Sequence, residues 1–260
     1  MDHIKIIFFD IDGTLIDMNT KKISSKTIDA LQQLKSKGIL LCIATGRSPM
    51  GVPKFDNVEF DAYLTFNGSY CFNKEKTLYS NAISKEDVQM ILENASKMNR
   101  AVSVATSKRL AANGDDQDLA EYYGFSKTKY EIASDFDQVI KDDIYQVMMA
   151  CRKEEYERVL ANTKHVKIAA WWDKAVDIIP ANSGKGAGIQ KILDYYHIKK
   201  DEAMAFGDGN NDIEMIEAVG NGIAMENASD ELKRVAHDIC GHVACDGIYH
   251  YCLEKGLITK

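Results

Sequence analysis

Asp10 and Asp12 stand two residues apart in Asp10-Ile11-Asp12-Gly13-Thr14-Leu15, directly after an apolar run. One carboxylate of such a pair can attack an electrophile while the other moves protons. Gly13 permits the tight turn they need. A plain Asp-Gly turn closing a strand has the same composition, so the pair alone leaves both readings open. A second element is Ala44-Thr45-Gly46-Arg47, where a hydroxyl beside a glycine amide suits a phosphate oxygen; a helix-capping Thr is the competing reading. A third is Gly207-Asp208-Gly209-Asn210-Asn211-Asp212. Its hard oxygen donors suit Mg²⁺, which takes carboxylates together with water and substrate phosphate. It lacks the alternating ligands and closing Glu of an EF-hand, and Asp212 stands where a dinucleotide fingerprint needs a third glycine. The fourth is Lys185, after Gly184 at the start of a helix, where a cation and a helix N-terminus together attract an anion.

These groups need elements that bring them together. Ile4 to Phe9 reads as a strand buried on both faces. Ser24 or Ser25 caps a helix with Ile28, Leu31 and Leu34 on one side and Gly38 at its end. Ile39 to Ala44 and Ala62 to Phe66 are further strands, so the chain begins as a parallel βαβ pattern. The texture changes near residue 80. Ser84 with Asp87 forms a capping-box pattern ahead of Val88, Ile91, Leu92 and Ala95. Strands are expected at 101–105, 144–150, 166–172 and 175–179, with a charged helix over 153–162. Asp115-Asp116-Gln117-Asp118 reads as a solvated loop or a helix start. After the break at Pro180-Ala181-Asn182-Ser183-Gly184 the α/β pattern resumes. A helix is expected over 185–196, strands over 203–206 and 222–225, and helices over 212–218, 229–236 and 247–255. The fold class is therefore α/β: a core formed by residues 1–82 and 184–260, interrupted by an α+β insertion over 83–183.

Composition bounds the function. The 260 residues carry 39 acidic and 32 basic side chains, and 45% are apolar. That balance excludes a disordered chain and disfavours the phosphate backbone of nucleic acid and anionic membranes. The apolar runs are too short for a transmembrane helix, and the N-terminus lacks the pattern of a signal peptide. A soluble, cytoplasmic globular protein is expected, with no nucleic-acid or membrane partner. Six cysteines are too few for a disulfide scaffold. Cys240, His242, Cys245 and His250 lie close in sequence, but their spacing does not fit paired zinc ligands, so reduced, metal-free thiols are expected.

The four elements occur in the order Asp-x-Asp, Thr, Lys, Asp-x-x-x-Asp. In that order the chain resembles the haloacid dehalogenase (HAD) superfamily of phosphotransferases, more narrowly the Cof-type subfamily IIB sugar-phosphate phosphatases. Phe66-Asn67-Gly68, Ile178 to Lys185 and Asp246-Gly247-Ile248 extend the likeness over nearly the whole chain. The resemblance implies a Rossmann-like, doubly wound parallel sheet with an inserted cap of type C2B. It implies a Mg²⁺-dependent phosphatase of small phosphorylated metabolites, above all hexose and other sugar phosphates. Asp10 would be the nucleophile and Asp12 the general acid and base. Asp10, Asp12 (through its backbone carbonyl), Asp208 and Asp212 would hold the metal. Thr45, Gly46, Lys185 and Asn211 would bind the phosphoryl group. Arg47, Asn67, Arg109 and Trp172 are the expected contacts for the rest of the substrate, with Tyr122 and Trp171 also placed in the cap. The cap would cover the leaving group, and a monomer would suffice. A sugar phosphomutase on the same core and a non-catalytic metabolite-binding regulator are the competing functions.

Overall fold

The computed structural model describes residues 3–55, 58–125, 131–170 and 172–260. The chain divides into two compact units. The first comprises Met1–Gly46, Pro53–Tyr79 and Gly184–Lys260; the second comprises Arg47–Val52 and Ser80–Ser183. The short Arg47–Val52 segment, expected in the core, thus belongs with the insertion.

The first unit is built on an eight-stranded sheet. Its order is Asp238–Ile239, Asn221–Ala224, Ala203–Gly207, Ile6–Phe9, Leu40–Ala44, Ala62–Thr65, Tyr70–Phe72 and Thr77–Ser80. The pairs from Asp238–Ile239 through Ala62–Thr65 are parallel, and Tyr70–Phe72 returns antiparallel. Ile6, Ile7, Phe8 and Phe9 are all fully buried, which is why this strand does not alternate. From it the chain proceeds outward to Leu40–Ala44 and Ala62–Thr65. After the insertion it returns on the other side, to Ala203–Gly207. Ile6–Phe9 is therefore the place where strand order reverses, and in open α/β sheets ligands bind at the carboxyl ends flanking that reversal.

The helices follow their sequence signals closely. Ser25–Ser36 starts at Ser24, whose hydroxyl accepts from the Thr27 amide at 3.0 Å, and buries Ala30, Leu31 and Leu34. Lys185–Tyr196 buries Gly188, Ile189, Ile192 and Leu193. The helix expected over 212–218 is preceded by a 3₁₀ turn at Asn210–Asp212, so the α-helix proper is Ile213–Ala218.

The second unit holds a six-stranded sheet ordered Val166–Ala169, Ala175–Pro180, Gln146–Ala150, Val102–Ala105, Leu110–Ala112 and Glu131–Ile132. Alternation separates its faces. Val102, Val104, Val147, Met149, Val176 and Ile178 join a core with Val88, Ile91 and Ala95 of helix Lys85–Lys97. The intervening Ser103 and Asp177 instead accept hydrogen bonds from Tyr123 (2.9 Å) and Tyr122 (2.5 Å) of helix Gln117–Phe125. That helix begins at the acidic run, where the Asp116 carboxylate accepts from the Asp118 and Leu119 amides. The charged helix expected over 153–162 is corrected to a 3₁₀ turn, Lys153–Glu155, followed by a single α-turn, Tyr156–Val159. Four residues cannot propagate a helix, and it is Val159 that anchors the turn to the core.

Candidate active site

Register decides what meets at the reversal point. Phe9 pairs with Ile43 on one side and Phe206 on the other. Asp10 follows its strand by one residue. Thr45 follows the residue after Ile43, and Asp208 follows the residue after Phe206. The three therefore leave one edge of the sheet at nearly the same height. The Asp10 amide still donates to the Phe206 carbonyl at 3.0 Å, which fixes its direction.

Lys185 reaches this edge from the N-terminus of its helix. Its Nζ lies 2.7 Å from Asp10 Oδ1 and 2.5 Å from Asp212 Oδ1, with the lysine 1% exposed. Asp212 Oδ2 accepts from the Asp208 and Gly209 amides at 2.9 and 3.0 Å, which folds the acidic loop. Oxygens of Asp10, Asp208 and Asp212 all lie within 4.8 Å of one another, and among the described residues they form the only such group of potential metal ligands.

Two glycines make this closeness possible. Gly13 has φ +95°, and a Cβ there would lie 2.1 Å from Asp208 Oδ2. The Asp208 carboxylate thus occupies the space a side chain at 13 would take. Gly68 has φ +93°, and its Cβ would lie 2.1 Å from the Gly184 carbonyl, just ahead of Lys185. Phe66 and Asn67 before it are also left-handed, at φ 51° and 50°. Such backbone is costly for an aromatic residue and clusters at functional sites. It turns the Asn67 amide against Gly46, where a Cβ would lie 3.1 Å from that amide. Asn211 Nδ2 donates to Asn67 Oδ1 at 3.3 Å. Thr45 is buried beside them, and its carbonyl accepts from the Asn67 amide. Asp12 is half-buried on the same turn as Asp10.

The electrostatics are unbalanced. Among the described residues, three carboxyl groups gather where Lys185 supplies one ammonium, an excess of two negative charges when all three are ionised. Burial drives the Asp10 carboxyl well above its ordinary range despite Lys185 beside it. Burial also pushes Asp208 up to about 7, against the opposing hydrogen bond from Thr14. For Lys185 burial acts downward, but Asp10 and Asp212 hold the ammonium above its usual range. Hard oxygen donors with excess negative charge fit a small divalent cation, which would bring the carboxyls back down.

Thr14 is a residue to which the sequence reading assigned no role. Its Oγ1 donates to Asp208 Oδ1 at 2.7 Å, holding one of the three carboxylates. It lies inside the Asp10–Leu15 motif, and only the fold supplies its partner.

Of the residues expected to touch the rest of the substrate, Asn67 lies beside Gly46 and Asn211. Arg47 Nη1 donates to the Gly51 carbonyl at 2.8 Å within its own segment. Arg109 is held by both oxygens of Asp135 and by Glu131, all at 2.9 Å. Trp172 is half-buried, with Lys174 Nζ 5.4 Å from its ring centre. Trp171 lies outside the described residues. The six cysteines are free, and Cys240, His242 and Cys245 converge on no metal-binding arrangement among the described residues. Burial pushes the Cys240 and Cys252 thiols up to about 12, which disfavours the reactive thiolate.

A phosphate-handling edge of this kind on a doubly wound sheet defines a class of phosphotransfer enzymes. The chain belongs to the haloacid dehalogenase-like hydrolases, whose family model matches residues 7–252, and within them it is a phosphatase, a phosphoric monoester hydrolase of small phosphorylated metabolites. It is 32% identical over 256 residues to YkrA of Bacillus subtilis (strain 168), covering 98% of each chain. It superposes on BT1666, a phosphatase of this superfamily from Bacteroides thetaiotaomicron, with TM-score 0.90 and 28% identity, covering 99% of this chain and 97% of that one. It is likewise similar to the subclass IIB sugar phosphatase BT4131, with TM-score 0.84 and 30% identity, covering 98% and 100%. Among the described residues no helix is long and apolar enough to cross a membrane.

Proposed function

We propose that the protein hydrolyses hexose and other sugar phosphates through an aspartyl-phosphate on Asp10, with Mg²⁺ as its metal. The observation that carries this reading is the convergence of Asp10, Asp208 and Asp212, with the buried Lys185 held between Asp10 and Asp212. Asp10, Asp208, Asp212 and the Asp12 backbone carbonyl would hold the ion. When bound, the ion supplies the positive charge that lets an anionic carboxylate approach an anionic phosphoryl group.

Asp10 attacks phosphorus, so that its O–P bond forms as the bond to the leaving alcohol breaks. Asp12, in its acid form, gives that alcohol its proton. It then takes a proton from the water that attacks the aspartyl-phosphate, releasing orthophosphate and restoring Asp10. Lys185, Thr45, Asn211 and the Gly46 amide hold the phosphoryl oxygens. The sugar assignment is supported by BT4131, which is a sugar phosphatase. The intact Asp12 favours full hydrolysis over a binding role.

The test is a panel of phosphorylated metabolites, assayed for inorganic phosphate with and without Mg²⁺. Release from sugar monophosphates only with Mg²⁺, lost in Asp10→Asn, is expected. Turnover that needs a bisphosphate activator would instead indicate a phosphomutase. Full activity of Asp10→Asn would overturn the nucleophile assignment.

A further inference from the structure

The turn Met225–Ser229 links the strand Asn221–Ala224 to the helix Asp230–Val235 and supplies none of the proposed site residues. Its contacts nevertheless run to both loops that do. Asn227 Nδ2 donates to the Gly13 carbonyl at 2.8 Å, while its Oδ1 accepts from the Val243 amide at 3.0 Å. Two residues on, the Ser229 amide donates to the Asp208 carbonyl at 2.9 Å, and its hydroxyl donates to Asn210 Oδ1 at 2.5 Å. The Met225 amide donates to the Gly207 carbonyl at 2.9 Å.

One short turn therefore grips the loop that begins at Asp10 and the loop that begins at Asp208. The spacing from Asn227 to Ser229 sets the separation of the Gly13 and Asp208 carbonyls. This matters because Gly13 has no side chain to anchor it, so rotation of its peptide is restrained by hydrogen bonds alone. The Asp208 carboxylate rests where a Gly13 Cβ would be, and Thr14 Oγ1 donates to that same carboxylate. If the Gly13–Thr14 peptide turns, Asp208 loses its seat and its donor together.

We propose that Asn227 is a positioning residue for the metal-binding carboxylates, clamping the Gly13–Thr14 peptide so that Asp208 is held in its ligating orientation. This rests on the assignment of Asp10 and Asp208 to the metal. Asn227 touches neither substrate nor metal; it acts through Gly13 and Thr14.

The test titrates Mg²⁺ by calorimetry into the metal-free full chain without substrate, and separately measures kcat and KM for a sugar phosphate. Asn227→Ala should weaken Mg²⁺ binding roughly 10-fold, the scale of an outer hydrogen bond to a metal ligand, and lower kcat with little change in KM. Glu226→Ala is the control. It cuts another tie of the same turn, Glu226 Oε2 to the His242 amide at 3.1 Å, without touching Gly13. It should leave Mg²⁺ affinity and kcat at wild-type values. Should Asn227→Ala fail to fold, Asn227→Asp keeps the shape and the acceptor for Val243 while turning an oxygen on the Gly13 carbonyl; its kcat should fall similarly. Wild-type Mg²⁺ affinity and kcat in Asn227→Ala, wild-type kcat in Asn227→Asp, or equal Mg²⁺ weakening in Glu226→Ala would overturn the clamp. A wild-type protein that binds Mg²⁺ but releases no phosphate would overturn the proposed function instead, and the titrations would still decide the clamp.

Discussion

Lys185→Met keeps the length of the side chain and deletes its ammonium. The lysine is 1% exposed and within 2.7 and 2.5 Å of two carboxylates. The ionised aspartates then share a buried site with no cation of their own. Removing one partner of a buried ion pair costs about 3–5 kcal/mol. At about 2–4 °C per kcal/mol for a domain of this size, the unfolding transition of the core should fall by roughly 6–20 °C in EDTA at pH 8. The loss should shrink toward pH 5, because the carboxyls, with Asp10 already driven upward, can take protons and shed their repulsion. Adding Asp212→Asn should restore part of it, and Mg²⁺ should restore part of it in the single variant. Differential scanning calorimetry at pH 5 and 8, with EDTA or Mg²⁺, gives all four comparisons. A single variant melting within about 2 °C of wild type at pH 8 would refute the reasoning, since ~3 kcal/mol cannot vanish into so small a shift.

Three further outcomes are expected. Asp10→Asn should melt near wild type yet lose turnover by several orders of magnitude, read by phosphate release. Gly13→Ala places a Cβ 2.1 Å from the Asp208 carboxylate and strains a φ of +95°, so kcat should drop about 100-fold, the cost of displacing a reacting group by about 1 Å, with a raised Mg²⁺ requirement. In the second unit, burial raises Asp177 to about 6, partly offset by hydrogen bonds from Tyr122 and Gln146. The neutral form is the one the fold favours, so the contribution of Asp177 to stability is full below pH ~4 and is lost as pH rises through about 6, by about 3 kcal/mol in all. Asp177→Asn should flatten that slope; a wild-type urea midpoint equal at pH 5 and 8 would contradict the assignment.

Much of the fold was legible because its signals are local. Ser24 and Ser84 cap the helices whose starts they mark in the sequence, while Ser229, expected within its helix, is found to be its cap. The uninterrupted apolar run at residues 6–9 is the mark of a strand covered on both faces. Where local signals are weak the reading failed. Tyr70–Phe72 and Leu110–Ala112 are three residues each and Glu131–Ile132 is two; they are held in place by their partners rather than by a pattern of their own. The helix expected over 153–162 failed in the opposite sense, since charge and propensity suggested a length that packing does not support.

The chemistry divides along the same line. Residue types and order set what can happen: paired aspartates after a strand, a threonine, a lysine and an acidic loop carry the resemblance to the haloacid dehalogenase superfamily, because each group's reactivity belongs to the side chain itself. Burial and partnership could not be read that way. That Lys185 is shared between Asp10 and Asp212, that Thr14 holds Asp208, and that Asn227 holds Gly13 are contacts spanning 27 to 214 positions of chain. Only a parallel sheet with its strands in one register, folded with close glycine contacts, brings such distant groups to one edge, where removal from water gives them their charge states.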